Sequence, residues 1–128
     1  MEYRYKSEVR GYELDSYGHV NNSVYVSYTE QARWKILKDA GLLETFMAQN
    51  LLLVVTETNI RYMRELKIFD EIEIVTNIKF EAPYLVFQHD IMNLSSGVKA
   101  AKSDVKTLLV DKDRIPQDVP AELLSLIN

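Results

Sequence analysis

The run Asp15-Ser16-Tyr17-Gly18-His19-Val20-Asn21-Asn22-Ser23-Val24-Tyr25 concentrates groups that could do chemistry. A carboxylate and an imidazole stand in a glycine-containing loop, just before a segment that reads as a helix. A helix start presents backbone N–H groups with no intrahelical acceptor, at the positive end of the helix dipole. Amides around Asn22 to Val24 would stabilise a carbonyl oxygen that gathers negative charge. Asp15 is then suited to act as nucleophile or as general base on water, and His19 to orient Asp15 or polarise the substrate. These parts fit acyl transfer to water. Taken one at a time, the same residues have structural readings. Asp15 is a good turn former, and Asn21 or Asn22 a good helix cap. His19 alone reads as a hydrogen-bonded structural residue, and Glu30 with Arg33 as a helix ion pair. Tyr25 and Tyr28 read as core.

Elements on both sides must hold this run in place. Residues 2–10 alternate, with Tyr3, Tyr5, Ser7 and Val9 on one side and charges on the other, which predicts a half-buried strand. Gly11 to Gly18 reads as loop, and Gly18 can take a backbone conformation that other residues resist. A helix is predicted from about Ser23 to Ala40, with Gly41 as its stop. At 100° per residue, Tyr25, Tyr28, Thr29, Ala32, Ile36 and Ala40 share one arc. Ser27, Gln31, Lys35 and Lys38 lie nearly opposite. Glu30 falls outside that polar arc, so it does not sit where solvent-facing charges cluster. A short helical turn is expected near Leu42 to Gln49. Strands are expected over Leu51–Met63, Glu71–Phe80, Tyr84–Leu94 and Lys99–Val110, and a short helix over Ala121–Ile127. Consecutive strands with short connections should pair antiparallel. The expected architecture is α+β, a five-stranded antiparallel sheet with one long helix across it, as a single domain over residues 1–128. An opposite sheet face left partly apolar by Val55, Val75 and Ala100 predicts a dimer.

Composition narrows the function classes. The chain has 128 residues, 47% apolar and 27% charged, which is ordinary for a globular domain. It has no Cys, so disulfides, cysteine nucleophiles and Cys-based metal centres are excluded. Two His are too few for a His-rich metal site, and no metal is expected. A net charge of −4 argues against nucleic acid as a partner. Nothing in it reads as a signal peptide or a membrane span, so the cytoplasm is the expected location.

The combination Asp15-x-x-Gly18-His19-Val20-Asn21-Asn22, with Tyr25, Glu30, Ala32 and Arg33, resembles the hotdog-fold thioesterases of the 4-hydroxybenzoyl-CoA thioesterase and acyl-CoA thioesterase group. His19-Val20-Asn21-Asn22-x-x-Tyr25 is also similar to plant-type acyl-ACP thioesterases. The likeness continues through Asn59-Ile60-Arg61-Tyr62-Met63-Arg64 and Asp70-Glu71-Ile72-Glu73-Ile74 and covers residues 1 to about 112. Glu65 stands where related sequences often have Pro. The resemblance implies a hotdog fold, a five-stranded antiparallel sheet wrapped around one long helix, and a hydrolase acting on acyl-CoA. Asp15 matches the catalytic carboxylate, Asn22 the oxyanion donor, and Glu30 an acidic helix position, with His19 assisting. Gly18, Tyr25, Tyr62 and Arg64 are the implied substrate-binding residues; Arg64, Lys67 and Lys102 are candidates for CoA phosphates. No cofactor is implied beyond the CoA carried by the substrate. A homodimer or homotetramer with sites at the subunit interface is implied as well. An acyl-ACP thioesterase, a non-hydrolytic acyl-thioester binding module and a dehydratase on the same fold are the alternatives.

Overall fold

In a computed structural model, which describes residues 1–127, the chain runs β1 (Tyr3–Glu8), α1 (Asn22–Asp39), α2 (Leu42–Ala48), β2 (Leu52–Tyr62), β3 (Glu71–Glu81), β4 (Tyr84–Asn93), β5 (Val98–Val110) and α3 (Ala121–Leu124). All strands form one antiparallel sheet in the order β1-β3-β4-β5-β2. The expected α+β architecture is the observed one. The predicted helix begins one residue earlier than expected, because Asn21 is the cap: its Oδ1 accepts from the Ser23 amide at 3.0 Å. Gly41 adopts φ +73°, which ends α1 and turns directly into α2.

The strand pairing differs from expectation at one place. β3, β4 and β5 pair with their sequence neighbours, but β2 pairs with β5 and not with β3. Residues 63–70 carry the chain across the end of the sheet from edge strand β2 to β3, the strand beside the opposite edge. The crossing spans three strand spacings, about 14 Å, and eight residues reach up to about 26 Å. It is stitched down along its length. Met63 N and Arg64 N both donate to Ala100 O, Val20 N donates to Leu66 O, and Phe69 N donates to Val9 O. Leu66 is wholly buried and serves as its hydrophobic anchor. This crossing brings the β2–β3 connection beneath the N-terminus of α1.

α1 lies across the sheet and divides the core. Its N-terminal half buries Tyr25, Tyr28 and Ala32 against Ile72, Ile74 and Ile91. Its C-terminal half buries Ile36 and Leu37 with α2 residues Leu42 and Phe46 against Ile78 and Phe87. The expectation of an uncovered apolar opposite face is corrected. Val75 and Ala100 are buried within the single chain. Ala100 joins the core beside the register shift between Ile91 and Met92, which turns β5 locally. Val55 is 45% exposed, yet it pairs with buried Thr107 and so shares the helix-facing side. The uncovered apolar surface therefore lies on the inner side of edge strand β2, where α1 does not reach.

Ile91 sits with no exposure in the centre of the first core half. Ile91→Ala should cost about 2–5 kcal/mol and Ile91→Val about 0.5–1.5 kcal/mol, measured by urea denaturation.

Candidate active site

The loop that carries Asp15 is a closed miniature hairpin. A single-turn 3₁₀ helix, Gly11–Glu13, leads into it, and a bridge between Leu14 and Val20 shuts its base. Asp15 N donates to His19 O at 2.8 Å, and Gly18 N donates to Asp15 O at 3.1 Å with Gly18 at φ +77°. The Asp15 carboxylate is tied to its own loop: Oδ1 accepts from Tyr17 N at 2.9 Å and from His19 N at 3.3 Å. Oδ2 has no partner among the described residues. One oxygen is thus fixed and the other is free to react, so the carboxylate is oriented before any ligand arrives.

The helix start completes the geometry. Ser23 N is taken by Asn21 Oδ1, Val24 N by Asn21 O, and Asn21 N by Glu13 O. The Asn22 amide has no acceptor among the described residues, so it is the free donor at this helix end. Asn22 O accepts from Tyr62 Oη at 2.9 Å, which fixes β2 to the start of α1. The Tyr62 ring meets Tyr25 edge-on, with centroids 5.1 Å apart at 84°. Burial raises the Tyr25 hydroxyl to about pKa 12, so it stays neutral.

These parts line an open cleft of about 490 Å³. Asp15, His19, Asn22, Tyr25, Tyr62 and Arg64 all line it, as the sequence reading expected of them. Gly18 shapes the loop and does not line the cavity. Glu30 is not brought there: it lies two turns along α1, exposed, and accepts from Trp34 Nε1 at 3.4 Å. Lys67 and Lys102 also lie outside the lining. Glu65 joins the cavity without having been singled out as a site residue. Its carboxyl is held below the usual range first by its own backbone N–H and next by the charge of His19. Its only sequence signal was its departure from the Pro of related chains. A second cavity, about 340 Å³, lies between β1, α1 and the C-terminal tail. Its rim charges are paired, Arg4 with Glu2 and Glu73, and Lys35 with Asp39. No helix among the described residues is long and apolar enough to cross a membrane.

The fold agrees with what known proteins show. The thioesterase-like superfamily matches residues 9–127, and the chain belongs to that superfamily; its architecture is the hotdog fold. The chain is similar to the long-chain acyl-CoA thioesterase FadM of Escherichia coli (strain K12), with 38% identity over 72 residues, 56% of this chain and 54% of that protein. It is also similar to the chloroplastic acyl-acyl carrier protein thioesterase ATL3 of Arabidopsis thaliana, with 25% identity over 120 residues, 92% of this chain and 63% of that one. In both cases the match spans less than two-thirds of the relative. Among solved structures, the YbaW probable thioesterase from Escherichia coli superposes with a TM-score of 0.85 at 26% identity, over 98% of each chain.

Between the two core halves lies a buried polar row that composition and spacing did not reveal. Thr76, His89 and Ser103 are directly opposite one another on β3, β4 and β5, beneath Thr29 and Arg33 of α1. Arg33 Nη1 lies 3.3 Å from His89 Nε2 and 3.3 Å from Thr29 Oγ1. Arginine can only donate, so Nε2 accepts and the ring proton sits on Nδ1, which donates to Thr76 Oγ1 at 2.8 Å. The imidazole must therefore stay neutral. Burial, then the Arg33 charge, push its pKa down to about 3. The unfolded chain takes up this proton near pH 6.5 while the folded one refuses it, so stability is lost as pH falls from about 6.5 toward 3. Urea unfolding should show a loss of roughly 1.5 kcal/mol from this group between about pH 6.5 and 5. In His89→Gln this contribution to the slope should vanish.

Proposed function

We propose that the protein hydrolyses an acyl-CoA thioester to the free acid and CoA thiol. The observation that carries this reading is the pairing of a pre-oriented carboxylate, its Oδ2 free, with the one free amide of a helix start in the same cavity. The thioester carbonyl oxygen accepts from the Asn22 N–H at the positive end of α1. Asp15 Oδ2 attacks the carbonyl carbon, or takes a proton from a water that attacks it. Either route forms a tetrahedral oxyanion held by the same amide and dipole. Its collapse breaks the C–S bond and releases the thiolate, which leaves as the thiol with a proton from the water; where Asp15 itself attacks, collapse leaves an acyl anhydride on Asp15 that this water hydrolyses. His19 lines the cavity beside Asp15 and assists by orienting or polarising. The net change consumes one water and needs no cofactor beyond the CoA of the substrate. The likeness to a protein named a long-chain acyl-CoA thioesterase supports CoA as the carrier. The likeness to a protein named an acyl-acyl carrier protein thioesterase supports a second reading with a carrier-protein substrate. An acyl-CoA substrate fits the cytoplasmic location expected from sequence.

The same reading includes a second copy of the chain. Val26 and Trp34 of α1 are exposed, as are Val55 and Tyr62 of β2, and Glu30 is exposed on α1 with no ion pair among the described residues. The outer edge of β2 carries backbone groups with no strand beside them. Exposed apolar side chains beside an open strand edge form a surface that a second copy covers under two-fold rotation.

Asp15→Asn should lower kcat/KM by at least about 100-fold on a panel of short, long and aromatic acyl-CoAs, read by thiol release. Unchanged kcat/KM would overturn the role of Asp15. Tight acyl-CoA binding without thiol release in the unaltered protein would favour a binding module instead. Val55→Glu, on the exposed surface of β2, should shift sedimentation toward the monomer, and unchanged sedimentation would overturn pairing through β2.

A further inference from the structure

Glu13 is a buried carboxylate that the hydrolytic step does not use. It is 7% exposed and sits two residues before Asp15. Its Oε1 accepts from the Tyr28 hydroxyl at 2.7 Å and from Arg10 N at 2.8 Å, and its Oε2 accepts from Arg10 Nη1 at 3.2 Å. Its backbone carbonyl accepts from Asn21 N at 2.9 Å. One residue therefore holds two places on α1. The carbonyl holds the cap, and the side chain holds Tyr28, about 10 Å further along the helix axis. Two anchor points on a rigid rod fix direction as well as distance. The chain then passes straight into the Leu14–Val20 bridge and the Asp15 turn.

We propose that Glu13 is a positioning residue that sets the Asp15 carboxylate against the free Asn22 amide by locking the loop to the body of α1 through Tyr28. An apolar residue could fill the same space but could not set a direction; a short hydrogen bond to a carboxylate does. Burial and the neighbouring Glu13 charge push the Tyr28 hydroxyl well above its ordinary pKa, so Tyr28 remains the donor and Glu13 the acceptor. Arg10 is exposed and adds little as an ion pair; its backbone N–H is the stronger tie. The role rests on the reading of Asp15 as the reacting group.

The test compares Glu13→Leu, Glu13→Gln, Tyr28→Phe and the Glu13→Leu/Tyr28→Phe double variant, with Asp15→Asn as reference. Turnover is counted per folded molecule. Glu13→Leu should lower kcat roughly 10- to 100-fold, the scale of an ångström-sized misplacement, with KM nearly unchanged. Glu13→Gln keeps the Oε1 acceptor and should restore most of kcat. Tyr28→Phe should lower kcat in the same direction, and the double variant no further than Glu13→Leu, because the two act as one unit. Amide hydrogen exchange at Asp15, Val20 and Asn21 should speed up in Glu13→Leu and Tyr28→Phe and stay near normal in Glu13→Gln. Wild-type kcat and exchange in folded Glu13→Leu would sink the proposal while leaving Asp15 in its role. Full activity of Asp15→Asn would instead sink the catalytic reading, and the exchange rates would then decide by themselves whether Glu13 holds the loop. If Glu13→Leu does not fold, Tyr28→Phe gives the same decision.

Discussion

The site depends on a small set of backbone hydrogen bonds that close the chain around the start of α1. Asn21 N to Glu13 O, Asp15 N to His19 O and Val20 N to Leu66 O together leave the loop no freedom to drift. Glu13 O takes Asn21 N, and Asn21 takes Ser23 N and Val24 N, so among the described residues the Asn22 amide is left without an acceptor. A free N–H at a helix end is ordinary in water and gains value where a bound acyl group covers it and displaces the solvent that would compete for the oxyanion. The same ties hold an otherwise exposed carboxylate at one orientation without recruiting any second side chain to do so.

The interior shows how much the fold concedes to keep that arrangement. A wholly apolar contact between α1 and the sheet would be simpler. Instead Thr76, His89 and Ser103 cross the middle of the core beneath Arg33. The polar groups direct the helix to one position over the sheet, since Arg33 must donate and His89 must accept. Ser103 Oγ is the exception, buried with no hydrogen-bond partner among the described residues. Such a row is costly to bury and fixes registration in return. It sits below the helix flank that carries Glu30 and Trp34, so the same contacts aim that flank outward.

Much of this was legible in the sequence. Period-two alternation at Tyr3–Val9, the Asn21 cap and Gly41 are local signals, and the local backbone obeys them. The cluster Asp15, His19 and Asn22 was legible because one loop carries all three. Tyr25, Tyr62 and Arg64 came from the family resemblance, and the cavity brings them to the same place. What periodicity could not show was long-range. The pairing of β2 with β5 depends on the crossing of residues 63–70, and no local pattern announces it. Val75 and Ala100 looked uncovered because alternation assigns a face but does not reveal which neighbours close over it or where a register shift turns the strand. Glu13 and His89 draw their importance from partners 15 and 56 residues away, Tyr28 and Arg33.

The register shift between Val55 and Glu57 in β2 has a bearing on solubility. A long straight edge strand invites endless strand addition, the first step toward fibres. Here the irregularity breaks the ladder partway along, and Glu57 and Arg61 put charge of both signs along the strand. The irregularity interrupts the ladder along which further strands could add, and a substitution that straightened β2 would favour open-ended stacking.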